Sequence, residues 1–141
     1  MYKKILVGYD GSDGAKLALE HACRLAKELD SEVWALWARS SLPHYPETVD
    51  EVEEEKEAAN TFLQKLTKEI LDASRQYGID IQAQSHSGHA AQTLLAFAEE
   101  GKFNLIVLGN RGHSGPIGRF LGHTADRISE NAHCSVLIVR S

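Results

Sequence analysis

The chain has 141 residues, 43% of them hydrophobic and 25% charged, with a formal net charge of −5, values that suit one globular domain over residues 1–141. The acidic balance argues against nucleic acid or a membrane surface as partner, since both call for a basic face. No run approaches the roughly eighteen apolar residues of a membrane span, and Met1-Tyr2-Lys3-Lys4 leads into a short strand rather than a signal peptide, so a cytoplasmic protein is expected.

Ile5 to Tyr9 is an apolar run closed by Asp10-Gly11-Ser12-Asp13, a turn cluster that also supplies helix caps, and it reads as the first strand. From Gly14 to Leu29 the residues Ala15, Ala18, Leu19, Ala22, Leu25, Ala26 and Leu29 recur at three and four, the spacing of a helix with one buried face. Glu32 to Ala38 is nearly continuous in apolar character, as expected of a strand covered on both faces. Arg39 to Pro46 reads as a loop. Glu47 to Glu57 holds seven acids and reads as a solvated, partly mobile lead into a helix, where acids are favoured by the helix dipole. It lacks the oxygen spacing of an EF-hand calcium loop. Val52, Ala59, Phe62, Leu63, Leu66, Ile70, Ala73 and Tyr77 carry that second helix to Gly78, a suitable C-cap. Ile79 to Ser85 alternates and reads as a third strand near a sheet edge. Ala90 to Glu100 reads as a helix with Ala91, Leu94, Leu95 and Ala98 inward and Gly101 as its stop. Leu105 to Leu108 then forms a buried fourth strand. Phe120, Leu121, Ala125 and Ile128 give a fourth helix its inward face up to Asn131, and Ser135 to Val139 is the fifth strand. Cys23 and Cys134, far apart and without CxxC spacing, read as reduced, buried side chains.

Strands and helices alternate throughout, which predicts right-handed crossovers and a three-layer α/β/α sandwich around a parallel sheet. In such sheets ligands bind beyond the carboxyl ends of the strands, where the strand order reverses. Two of those ends carry unusual chemistry. After the first strand stands Asp10-Gly11-Ser12. After the fourth comes Gly109 to Thr124, GNRGHSGPIGRFLGHT, which holds five of the eleven glycines. Glycines let another group approach the backbone, and successive N–H groups ahead of a helix N-terminus attract phosphate oxygens. From Gly101 to Ala125 there is no acid, while Lys102, Arg111 and Arg119 are basic and His113 and His123 can donate. The loop is neither a Walker loop nor GxGxxG. With the first and fourth strands as neighbours, Asp10 faces an anion-binding loop across one crevice, and a nucleotide satisfies both sides. Asp10 has a second, compatible reading as the cap of the first helix. Arg111, Arg119 and His113 read equally as solvated side chains. His86 and His89 lack a third ligand for a metal. Trp34 and Trp37 face opposite sides of their strand as core residues, Trp37 alternatively bordering a base pocket.

These residues resemble the universal stress protein family over essentially the whole chain. Three features carry the resemblance: ILVGYDGS at Ile5 to Ser12, Gly109-x-x-Gly112 followed by nine residues and Gly122, and AHCSVLIV at Ala132 to Val139. It implies a Rossmann-like five-stranded parallel sheet in the order 3-2-1-4-5 and a homodimer through Ser135 to Val139. In the subgroup that keeps the glycine motif it also implies a bound ATP, with Mg2+ as its companion ion, or AMP. Carried over position by position, Asp10 meets the ribose or adenine and the backbone of Ala38 meets the adenine. Leu108, Gly109 and Gly112 line the ribose and α-phosphate, with Arg111 and His113 beside Gly112. Gly122, His123 and Thr124 hold the outer phosphates. One position departs from the pattern: His123 stands where the family has Ser or Thr, so a hydroxyl contact to a γ-phosphate is lost or moved. The bulkier imidazole shortens the pocket, and AMP or ADP becomes as well placed as ATP.

The function expected is a dimeric regulatory or stress-response module in which an adenine nucleotide biases dimer shape or the choice of an unknown protein partner. It is not expected to be an enzyme, and neither a catalytic residue nor a metal site is assigned. A slow ATPase or phosphotransferase is the first alternative, for which a base, a metal-binding acid and a lysine are not evident. A ligand-free dimeric interaction module, indifferent to changes in the glycine loop, is the second.

Overall fold

The computed structural model describes residues 1–39, 48–110 and 122–140. Among them the elements run β1 (Lys4–Gly8), α1 (Asp13–Leu29), β2 (Glu32–Arg39), α2 (Val49–Tyr77), β3 (Ile81–Ser87), α3 (Ala90–Glu100), β4 (Leu105–Gly109), α4 (His123–Asn131) and β5 (Ser135–Val139). The strands form one parallel sheet in the order β3-β2-β1-β4-β5, as the family resemblance implies. The central strand is apolar on both faces because helices cover both: Ile5, Leu6 and Val7 are all 0% exposed. The sheet thereby divides the core in two. Ile5, Val7, Val33, Ala35, Leu105 and Val107 pack with α1 and α2 on one face. Leu6, Leu36, Ile106 and Leu108 pack with α3 and α4 on the other.

Local hydrogen bonding decides where the elements begin. Ser12, not Asp10, caps α1: its Oγ accepts the Ala15 N–H at 3.2 Å. Asp10 Oδ1 instead accepts the Ser12 N–H at 2.9 Å, closing an Asx turn at the end of β1. Thr48 caps α2 through the Glu51 N–H. Asp50 to Glu57 therefore lie within α2 itself rather than in a lead ahead of it, and Glu47 lies outside the described residues. Roughly 20 Å of α2, at about 1.5 Å per residue, precedes Phe62, whose ring packs 4.8 Å from that of Trp37. The α2 residues buried against the sheet are Leu66 and Ile70. Gly78 ends the helix with φ 66. The N–H of Ile79 turns back to Ser74 O at 3.2 Å, so β3 starts two residues later than the alternation suggests. It forms an edge strand, as expected.

Gly101 stops α3 without a left-handed conformation, its φ being −83. Lys102 takes φ 56 instead, and the Lys4 Nζ caps the helix by donating to Gly101 O at 2.7 Å while lying 4.6 Å from the centre of the Phe103 ring. The fourth helix keeps Ala125 and Ile128 inward as read, while Phe120 and Leu121 lie outside the described residues.

One contact sets the position of the functional end of the sheet. A Cβ built on Gly109 would stand 2.6 Å from both the carbonyl carbon and oxygen of Gly14, so α1 touches the end of β4 backbone to backbone. Gly109→Ala is expected to push these two elements apart and cost about 1–3 kcal/mol, the range for overpacking a close-packed contact. Urea denaturation in the absence of ligand checks this, and an unchanged midpoint would contradict it.

Candidate functional site

The strand order places β2 and β4 on either side of β1, so the carboxyl ends of the three strands open into one crevice. Asp10 stands at the middle end, half-buried and held by its turn with Ser12. On the β2 side the β1–β2 pairing ends at Gly8 opposite Leu36, with the Tyr9 N–H donating to Leu36 O at 2.9 Å. The next residue of the same parity is Ala38. Its N–H and C=O turn to the side of β1 beyond the last pair, a donor and acceptor spaced to read the edge of a flat heterocycle. Its side chain is on the face shared with Leu36 and Trp34, while Trp37 lies on the opposite face against Phe62.

On the β4 side the Leu108 side chain is in the core, 4% exposed, so only its backbone can line a ligand. Gly109 lies against Gly14, as described above. The Asn110 N–H donates to Val139 O at 3.1 Å, and Asn110 O accepts the Gly122 N–H at 3.0 Å. That second bond brings the start of α4 back to the end of β4. Gly122 is the N-cap of α4 and supplies no side-chain cap. The Asp126 N–H is bonded to Gly122 O at 3.0 Å, so the N–H groups of His123, Thr124 and Ala125 come ahead of the first helical bond. His123 is exposed and Thr124 half-buried. The N-termini of α1 and α4 thus both reach the end of β4, and each carries a partial positive charge. Arg111, Gly112, His113 and Arg119 lie outside the described residues.

The wall behind Asp10 comes from α2. Gly11 has φ +81, and a Cβ there would stand 2.7 Å from Leu66 Cδ2, so a glycine is needed both for conformation and for the approach of the helix. The buried Tyr9 hydroxyl donates to Glu69 Oε1 at 2.9 Å. Burial pushes the Tyr9 hydroxyl well above its ordinary value of 10.0, and the Glu69 hydrogen bond and charge add to this, as does Asp10.

Two residues of this end were not singled out by sequence reasoning. Among the described residues the buried side-chain atoms without a hydrogen-bond partner are Arg39 Nε and Asn110 Oδ1. Both stand at carboxyl ends, Arg39 closing β2 and Asn110 following β4. An orphaned buried donor or acceptor is costly unless a ligand meets it. An asparagine between glycine and arginine gives no warning of this in the sequence, because its burial is a tertiary property.

Two of the histidines outside the crevice have local partners. His86 is bonded to Gln84 Oε1 at 3.2 Å and lies 5.3 Å from the Phe97 ring, while His21 Nδ1 is 2.9 Å from Leu17 O. His89 occupies the N-cap of α3 without a side-chain bond. Cys23 and Cys134 are free thiols, the first buried and the second half-buried, and burial raises Cys23 to about 11. No helix among the described residues is long and apolar enough to cross a membrane.

The universal stress protein family model matches residues 1–140. The chain belongs to the universal stress protein family. A universal stress protein of Methanocaldococcus jannaschii is 33% identical over 147 aligned positions, covering 99% of this chain and 83% of its own. A universal stress protein solved in complex with cAMP superposes with a TM-score of 0.75 at 28% identity, covering 98% of this chain and 97% of its own. An Arabidopsis thaliana family member solved with AMP bound has a TM-score of 0.70 at 13% identity over 98% of this chain and 91% of its own, a likeness of fold.

The Tyr9–Glu69 pair makes this universal stress protein fold sensitive to alkali. Because the folded hydroxyl titrates above 10.0, its contribution is fully present below that pH and is lost as pH rises through the folded value. Stability should therefore fall above pH 10, and Tyr9→Phe should flatten that part of the decline while losing about 1 kcal/mol near neutrality. Chemical denaturation across the alkaline range checks both effects, and an unchanged alkaline slope would contradict the assignment.

Proposed function

We propose that the crevice binds an adenine nucleotide and that the bound nucleotide regulates the protein without being turned over. The observation that carries this reading is the meeting of the α1 and α4 N-termini at the end of β4, beside the Asp10 carboxylate at the end of β1. The donor set suits the parts of the ligand in turn. The Ala38 N–H and C=O suit the adenine edge, Asp10 suits the ribose hydroxyls, and the helix ends with Gly109 and Gly122 suit the phosphates. Arg39 Nε and Asn110 Oδ1 offer a buried donor and a buried acceptor at the same end. The cAMP and AMP seen in the two solved relatives support the class of ligand. His123 in place of a small hydroxyl residue favours AMP, ADP or a cyclic monophosphate over a ligand that needs a hydroxyl contact at its γ-phosphate. Mg2+ would accompany ATP by neutralising its phosphates.

Within this proposal the protein is a dimer paired through β5, the strand edge opposite β3. Nucleotide acts by favouring one of two dimer or partner-binding states. Turnover is not part of the reading: Asp10 is assigned to the ribose hydroxyls, and no catalytic base is assigned.

The first test is to denature the purified protein and analyse the supernatant for adenine nucleotide, which is expected intact and near one per chain. The second is Asp10→Asn, which keeps an oxygen for the Ser12 N–H but removes the charge. Loss of one charge-assisted hydrogen bond should weaken AMP binding about 10- to 100-fold by calorimetric titration, with stability little changed. Unaltered affinity, or conversion of ATP to ADP that Asp10→Asn abolishes, would overturn the proposal.

A further inference from the structure

Among the described residues nothing blunts the sheet edge formed by β3, and such an edge calls for a partner. Edge strands are normally blunted by charge, proline, a bulge or shortness. Ile81–Ser87, IQAQSHS, has seven residues, no charged residue and no proline. Its register with β2 runs without a bulge from Ile81 opposite Val33 to Ser87 opposite Arg39. Gln82, Ala83, Gln84, His86 and Ser87 are exposed. The Gly88 N–H donates to Arg39 O at 2.9 Å, which sets the parity of the strand. Even-numbered residues turn their amides toward β2, and Ile81, Ala83, Ser85 and Ser87 turn theirs outward.

We propose that β3 pairs antiparallel with β3 of a second copy about a two-fold axis at Gln84, joining two sheets into one. The strand's own sequence is complementary to itself in this register. Gln84 is its midpoint, so an axis there pairs all seven residues. The outward amides then meet as Ala83 with Ser85 and Ile81 with Ser87, each a hydrogen-bonded pair. On the face that carries the His86–Phe97 contact, Gln84 meets Gln84 of the other copy and Gln82 meets His86, each a donor facing an acceptor. On the opposite face Ala83 and Ser85 are small enough for close approach. No charged side chain of the strand meets a like charge. The bonds given up are weak and exposed: Gln82 Nε2 to Asp80 Oδ2 at 3.4 Å and His86 Nε2 to Gln84 Oε1 at 3.2 Å. A single strand pair buries less than the roughly 800 Å² per partner of a standard interface, so the association is concentration-dependent. Being uncharged, it is insensitive to salt. The β3 edge lies at the far side of the sheet from β5, and its pairing does not depend on a nucleotide.

Cross-linking in a Cys134→Ser background tests the register, Cys23 being buried. With oxidised glutathione, Gln84→Cys should form a disulfide dimer about tenfold faster than Gln82→Cys, because only position 84 faces itself across the axis. Mixed Gln82→Cys and His86→Cys proteins should cross-link to each other at the faster rate. In sedimentation, Gln84→Lys should remove the concentration-dependent association beyond the β5-paired dimer that the wild type shows. Equal cross-linking rates at 82 and 84, or a sedimentation profile unchanged by Gln84→Lys, would overturn the proposal.

Discussion

Where β4 ends, the backbone of Gly109 lies so close to the first turn of α1 that there is no room between it and Gly14 for a methyl group. The rest of the candidate site depends on that approach. It fixes the amino end of α1 beside β4 although the helix follows β1, and so joins the ends of two neighbouring strands into one crevice. The Gly122–Asn110 hydrogen bond does the same for α4 on the other face of the sheet. Two helix dipoles then point their positive ends at one place, which costs repulsion in an empty site and is offset when an anion enters.

Charge along the chain is distributed in keeping with this. The acids between Asp50 and Glu57 are carried on the part of α2 that precedes its packing onto the sheet, and residues 101–125 contain none. The acidic run is thereby separated from the glycine-rich stretch, while Asp13 and Asp126 stand in the first turns of α1 and α4. Asp10 is held by its own turn with Ser12 at the end of β1. Behind it the Tyr9–Glu69 bond and the contact of Leu66 with Gly11 tie α2 to the same turn. The turn that holds Asp10 is therefore in direct contact with α2.

The fold was legible because its signals are local and periodic. Runs such as Ile5 to Val7 and Leu105 to Leu108 are apolar on both faces, and the three-and-four spacing of α1 admits one buried side. Element ends were less legible, since they turn on single hydrogen bonds. Asp10 and Ser12 are both good caps by type, and only geometry shows that Ser12 caps α1 while Asp10 closes the turn. The Ile79 N–H went to the end of α2 rather than to β3. The acidic run reads as a lead into the helix rather than part of it because charge masks the helical continuity that the Thr48 cap begins. The gathering of Asp10, Ala38, Gly109 and Gly122 at one end of the sheet was legible through the family resemblance and glycine spacing. Arg39 and Asn110 were not, because an unpaired buried atom is a consequence of packing that no residue pattern announces.

An amide NMR titration of the nucleotide-free protein with AMP tests the central claim most directly. The account predicts saturable shifts confined to the carboxyl end of the sheet, at Gly11, Ser12, Ala38, Gly109, Gly122 and Thr124. Lys4, Glu32 and Asn104 at the opposite end should stay in place. Shifts absent at saturating AMP, or centred on the opposite end, would contradict it.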